Sequence, residues 1–455
     1  MNPKTARQLL YFCLIVFCCP FFLTSCAVNR NMSAELSKIF RKSAILNDHF
    51  TGFAISGTNQ PGLIYEKNSD LLFAPASNVK LFNLYAGLQL IPDSIPSLRY
   101  IERGDSLIFW GTGDPSFLHR RLQGTKAFSF LKSSQKKLFY APGRYTGNLY
   151  GQGWALDDYN DYYQAEITEL PLIDNLIEVK NEQGKLTVNP AVFSSKLKKD
   201  SLHGDTIVQT SPVISPVKTF KVTRNPDLNE FHYSDLPIPV NYNQLIPYKT
   251  SVALTLKLLS DTLKKEVGLV TMEMPSLAKT ICNMPSDSVF RAMMLPSDNF
   301  IAEQLLLVYA NQFQLKLSST ETIQYIMQKY LSALPDRPNW VDGSGLSRMN
   351  LFSPRDIIML LQLIDKKVND RNRLFSLLPA GGKSGTLKNA YPKTDQPFVF
   401  AKSGSFSNNY NQSGYVVTKK GNVFCFSFLN NNFIHPTAEI RKEIARVITR
   451  IHDKF

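Results

Sequence analysis

Ser77 and Lys80, in the run Ser77-Asn78-Val79-Lys80, stand three residues apart at the start of an apolar segment, and no other pair in the chain is better placed to do chemistry. That spacing puts both side chains on one face of a helix, so the amine can reach the hydroxyl. A lysine must be neutral to act as a base, and the site therefore has to lower its pKa by burial or by a neighbouring positive charge. The Ser77 N–H, free in the first helical turn, can donate to a developing oxyanion. Taken alone, Ser-x-x-Lys is common, and a solvated helix start would explain it. The setting between Pro75 and a strongly apolar run to Leu90 argues for a buried nucleophile instead.

Two further clusters fit the same chemistry. Ser297-Asp298-Asn299 stands directly before the apolar segment Phe300 to Phe313, where a helix cap is the bland explanation. Its functional reading makes Ser297 a second hydroxyl, able to pass a proton between the lysine and a leaving amine, with Asn299 holding the amide side of a bound substrate. Lys402-Ser403-Gly404 ends the strand-like run that starts at Pro397. There Gly404 lets a substrate backbone approach the strand, while Lys402 and the Ser403 and Ser405 hydroxyls face an anionic substrate terminus. The Ser405 N–H becomes the second oxyanion donor. The triplet recurs as Lys383-Ser384-Gly385, followed by Thr386, but in a glycine-rich loop; strand context favours Lys402.

Positioning these groups needs a sheet and helices. Residues 33 to 48 read as a helix, and Thr51 to Ile55 with Leu63 to Lys67 as a hairpin turning at Asn59-Gln60-Pro61-Gly62. Apolar residues at 79, 82, 85 and 88 mark a helix beginning near Ser77. Between 95 and 275 the texture changes to short β-rich runs, among them Ser106 to Trp110, Leu176 to Lys180, Thr206 to Gln209 and Phe220 to Thr223. Helical periodicity returns at 300 to 313, 320 to 331 and 354 to 364, before strands at 397 to 402, 413 to 418 and 422 to 429 and a last helix at about 437 to 451. The expectation is an α/β (α+β) domain over 26 to 94 and 276 to 455 whose ends meet in one sheet. β-rich domains are inserted at 95 to 275, with an outer lobe over about 95 to 172 and 246 to 275 and a nested lobe over about 173 to 245.

Lys plus Arg number 51 against 37 acids, a net charge of +14 that would suit an anionic polymer, acidic lipid headgroups or nucleic acid; spread without long basic runs, it reads as a solvated basic surface and gives no nucleic-acid footprint. Lys4 and Arg7 precede the apolar run Leu9 to Leu23, which ends in Leu23-Thr24-Ser25-Cys26. Too short to span a bilayer and closed by small residues, residues 1 to 25 read as a secretion signal of lipoprotein type, with Cys26 acylated and holding an exported protein at a membrane in the cell envelope or periplasm. Past Cys26, Cys282 and Cys425 remain, too few for a disulfide framework. His-Glu-x-x-His and Gly-x-Ser-x-Gly are both absent, which removes zinc-peptidase and α/β-hydrolase readings.

Ser-x-x-Lys, Ser-Asp-Asn and Lys-Thr-Gly, in this order, form the set shared by penicillin-binding proteins and class A β-lactamases. The chain resembles the class C low-molecular-mass penicillin-binding proteins, D-Ala-D-Ala carboxypeptidases and endopeptidases, over nearly all of its length. Besides the three motifs, Gly111-Thr112-Gly113-Asp114-Pro115, Trp154 with Asp157-Asp158, Asp174-Asn175, Ala302-Glu303, Asp342-Gly343-Ser344-Gly345-Leu346-Ser347 and Gly385-Thr386-Leu387 match. Departures are Ser403 for the usual threonine, Leu81-Phe82-Asn83 after Lys80, and no glycine in 91 to 100. The resemblance implies a penicillin-binding, serine β-lactamase-like transpeptidase fold with nested insertions. It also implies that Ser77 attacks the penultimate D-alanine carbonyl of peptidoglycan stem peptides, that Lys80 takes its proton, that water hydrolyses the acyl-enzyme, and that β-lactams trap it. No metal or organic cofactor is implied.

Two other classes compete. A serine β-lactamase would use the same motifs, yet such enzymes are much shorter and no deacylating carboxylate is identifiable. A catalytically inactive envelope lipoprotein would be expected to have lost some of Ser77, Lys80, Ser297, Asn299 and Lys402, all present here.

Overall fold

The computed structural model describes residues 29–200, 219–313 and 316–455. Cys26, the segment before it and the expected strand Thr206 to Gln209 lie outside the described residues.

At the centre is a five-stranded antiparallel sheet in the order Val399–Phe406, Asn409–Val417, Val423–Asn431, Phe50–Gly57, Tyr65–Lys67. The two ends of the chain meet in it, Phe53 opposite Phe428 and Ile55 opposite Phe426. Its inner strands are buried on both faces, which is why 423 to 429 reads as an apolar run rather than as an alternating one. Alternation shows in which core each residue joins. Phe424, Phe426 and Phe428 pack under a helix over 29–42 and the last helix, Thr437–Lys454. Cys425 and Leu429 point into the other core, with helices Val79–Leu90, Asn299–Asn311 and Pro354–Val368. Val79 to Leu88 is buried on every side, so this helix has no solvent face. No described helix is long and apolar enough to cross a membrane.

The β-rich region forms three sheets around one shared core. The largest has five strands, in the order Val267–Leu269, Lys137–Tyr140, Ser106–Gly111, Ser94–Arg103, Lys279–Pro285. Two three-stranded sheets follow, one from Leu176–Glu182, Lys185–Asn189 and Asn243–Pro247, the other from Leu197–Lys199, Val222–Arg224 and Phe231–Tyr233. Strand Lys279–Pro285 pairs with Ser94–Arg103, so the inserted sheet reaches beyond the boundary drawn at 276 from the sequence. Its register shifts and mixed burial explain why no clean strand pattern marked it.

Candidate active site

Ser77 sits on a 3-10 turn, Ala76–Asn78, that leads into helix Val79–Leu90. Ala76 before it has φ 47°, a left-handed backbone that an alanine adopts only when its surroundings impose it. Two glycines do so. A Cβ on Gly345 would fall 2.0 Å from Ala76 O, and one on Gly404 would fall 2.5 Å from Pro75 O and 2.7 Å from Ser77 N. Gly404 therefore admits the Ser77 turn against the strand, a closer constraint than the substrate approach expected from the sequence.

Lys80 is fully buried one turn on, and its three donors are all used: Ser77 Oγ accepts at 3.0 Å, Asn299 Oδ1 at 2.8 Å and Ser344 O at 2.6 Å. Burial pushes its pKa down to about 8, while the carboxylates of Asp342, Glu303 and Asp298 pull in the other direction. The amine is thus a competent base at mildly alkaline pH and is aimed at the serine hydroxyl.

Ser297, Asp298 and Asn299 enter helix Asn299–Asn311. Asp298 caps it by accepting from Ile301 N and pairs with Arg121 of the inserted lobe. The capped turn also places Asn299 against Lys80. Asn299 turns its carbonyl to Lys80 and donates its amide to Tyr163 O at 3.3 Å, so within the protein it orients the lysine and ties to the insertion. Ser297 has φ 65° and lines a cavity of about 360 Å³ between this turn and the insertion. Among the described residues its hydroxyl makes no hydrogen bond.

The third motif lies on Val399–Phe406, an edge strand of the sheet. Period-two alternation divides it. Lys402 is fully buried on the nucleophile side, donating to Ser403 O at 2.5 Å, and burial together with the neighbouring Lys80 pushes its pKa well below the usual lysine range. Ser403 faces the other way and donates to Thr386 Oγ1 at 2.7 Å; Ser405 is exposed further along. Ala401 N donates to Pro379 O on the outer edge, where Ala380 bridges Phe400, so by alternation the N–H groups of 403 and 405 point to that same side beyond the bridge. Lys383, of the other triplet, is exposed.

Several contributors carried no separable signal in the sequence. Ser344 lends a backbone carbonyl, and the loop presenting it is held by two carboxyl groups. Glu303 accepts from Gly343 N at 3.0 Å and Ser344 N at 2.7 Å; Asp342 accepts from Gly345 N, Ser347 N and the Trp154 indole at 2.6 to 3.0 Å. Burial, reinforced by Asp342, raises Glu303 to about 8. Both residues stand in runs quoted above as resemblances, but their role in carrying the Ser344 carbonyl to Lys80 needed the fold to appear.

A serine beside a buried amine, a proton-accepting network and an open strand edge with backbone donors define an acyl-transfer site that accepts an extended peptide. The comparisons narrow the class. The profile of the D-Ala-D-Ala carboxypeptidase 3 (S13) family matches residues 32–453, and the chain belongs to that family. It is 24% identical over 426 residues to the D-alanyl-D-alanine carboxypeptidase DacB of Haemophilus influenzae, covering 83% of this chain and 85% of the relative. Over a shorter stretch of 150 residues, 30% of this chain and 28% of the relative, it is 31% identical to the penicillin-sensitive carboxypeptidase A of Dictyostelium discoideum. The fold is similar to the crystal structure of penicillin-binding protein 4 from Haemophilus influenzae, with a TM-score of 0.73, 19% identity, and 92% and 99% of the two chains covered. The protein is a class C low-molecular-mass penicillin-binding protein and a serine-type D-Ala-D-Ala carboxypeptidase.

Proposed function

We infer that Ser77 is the nucleophile that opens the D-Ala-D-Ala bond of peptidoglycan stem peptides and that Lys80 is its base. The observation that carries this is the 3.0 Å contact from a fully buried Lys80 to Ser77 Oγ. The peptide lies antiparallel along the outer edge of the strand at 403 to 406, beyond the bridge from Ala380 to Phe400. As Ser77 Oγ bonds to the penultimate carbonyl carbon, its proton passes to Lys80 Nζ, and the N–H groups of Ser77 and Ser405 receive the oxyanion. Ser297 relays that proton to the departing amine as the C–N bond breaks. Water then attacks the ester, with proton transfer reversed through the same groups, and Ser77 is restored. The terminal carboxylate is met by Lys402 from the Ser77 face of the strand and, across its outer edge, by the Ser403 and Ser405 hydroxyls. A β-lactam follows the first half of this course and stays bound.

The test is labelling with a fluorescent penicillin alongside D-alanine release from a synthetic D-Ala-D-Ala peptide. Wild type reacts in both; Ser77→Ala, folded by thermal melting, reacts in neither. Labelling of Ser77→Ala at the wild-type rate would remove Ser77 from the mechanism, and rapid repeated turnover of a chromogenic β-lactam would favour a β-lactamase.

The amino-terminal pattern supports a further reading, that Cys26 is acylated and holds the enzyme at a membrane facing the periplasm or cell envelope. Cys26→Ser would then appear in the soluble fraction, or unprocessed, with activity intact in a form starting at Ala27. Wild-type protein free of lipid would refute the anchor.

A further inference from the structure

The last helix and the loop after Gly385 enclose a groove of about 1010 Å³ on the face of the sheet opposite the nucleophile helix. It begins at Thr386, the partner of Ser403, and at Tyr410, which stands opposite Ser405 in the strand register. From there it follows one face of helix Thr437–Lys454 as far as Glu35. Small residues, Ala390, Ala438 and Ala445, leave it open.

Its charge is one-sided. Five cations line it against two acids, and both acids are engaged: Glu35 with Arg450 and Lys454, Asp453 with Lys419. Arg446 pairs with Glu443, and Arg441 lies over the Tyr410 ring at 4.9 Å. Lys388 and Lys442 are exposed and form no ion pair among the described residues. Concave surfaces lined by one sign of charge concentrate ligands of the other sign.

We propose that this groove holds a carboxylate-bearing strand of the peptidoglycan polymer next to the peptide being cut. Continuity decides the occupant: Thr386 and Tyr410 join the groove to Ser403 and Ser405, so a polymer lying on the strand edge has its anionic neighbouring portion delivered to Lys388, Arg441 and Lys442. The groove adds affinity for the macromolecule while the short peptide never reaches it. This deepens the peptidase reading and rests on it.

The experiment compares wild type with Lys388→Glu/Lys442→Glu on three probes: a short D-Ala-D-Ala peptide, a fluorescent penicillin and purified sacculi. The expected result is unchanged peptide cleavage and labelling, with sacculus digestion lowered about tenfold or more at low ionic strength and the gap closing as salt screens the groove. In the Ser77→Ala background, the charge reversal also lowers co-sedimentation with sacculi, a readout free of catalysis. Equal digestion and co-sedimentation would overturn the proposal, as would an equal loss on peptide and sacculi. Charge-dependent binding to vesicles containing phosphatidylglycerol, with sacculus binding unaffected, would reassign the groove to a membrane surface. Wild type that neither cleaves peptide nor labels would instead defeat the peptidase reading beneath it.

Discussion

The chain carries Lys-Ser-Gly twice, at 402–404 and 383–385, and the two copies have opposite surroundings. Lys402 is fully buried near Lys80, whereas Lys383 is exposed in a loop. Gly404 has the backbone of the nucleophile turn pressed against it; Gly385 holds φ 57° against Leu295 O. Ser403 donates to Thr386, while Ser384 accepts from Ala380 N within its own turn. One tripeptide thus stands against Lys80 and the Ser77 turn and the other shapes a loop, because strand pairing and not the triplet places the side chains. The copies also touch: Thr386, directly after the second triplet, is the partner of Ser403 in the first.

Gly404→Ala is the harshest test of this contrast. A methyl group 2.5 Å from Pro75 O and 2.7 Å from Ser77 N forces the nucleophile turn away, and displacements of about 1 Å cost on the order of a hundredfold. Penicillin acylation should fall by about a hundredfold or more with the fold retained, as stopped-flow labelling and thermal melting would report; a normal rate would mean that the turn does not depend on the strand. Lys402→Ala should cost about ten- to a hundredfold in kcat/KM, the worth of one charge-assisted contact of about 1.5 to 3 kcal/mol, since a bound carboxylate favours the charge that burial and Lys80 disfavour. Lys383→Ala as the crippled variant, with Lys402→Ala mild, would reverse the comparison.

A pH profile separates the base from both triplets. Burial holds Lys80 near 8, and as the proposed base it works only when neutral, so acylation should rise with pH to a plateau above about 8 and fall about tenfold per pH unit below it. Lys383→Ala should keep that midpoint, and a shift in this variant would tie the loop lysine to the base. Thr386→Val removes the acceptor of one neutral hydrogen bond, worth about 0.5 to 1.5 kcal/mol, and should slow peptide cleavage about two- to tenfold. Lys383→Ala itself, an exposed change, should stay within about twofold on the short peptide.

What the sequence disclosed follows from these physics. Helix Val79–Leu90, the terminal strands and the central sheet were legible because burial on defined faces leaves periodic apolar residues. Preference for Lys402 over Lys383 rested on the same strand signal. That signal ended early, however: the strand expected to stop at 402 runs to Phe406, since Ser403-Gly404-Ser405 has little β propensity and is held by its register with Asn409 to Gln412. Hidden altogether were the Ser344 carbonyl, the Tyr163 carbonyl that receives Asn299, and Arg121 on Asp298. Backbone atoms carry no residue signature, and contacts across more than a hundred residues leave no spacing to read.

Ser94 lies opposite Pro285 where the inserted region leaves and rejoins the rest of the chain. Entry and exit are therefore one strand spacing apart, about 5 Å, and a short turn could replace everything between them without stretching the catalytic fold. Such a minimal enzyme would be easy to close and poor to run. Its Asn299 amide would lose Tyr163, its Asp298 would lose Arg121, and the Trp154 indole would no longer brace Asp342. An insertion joined like a detachable module is in this way also a supporting wall, and a version without it would need those three braces rebuilt from the residues that remain.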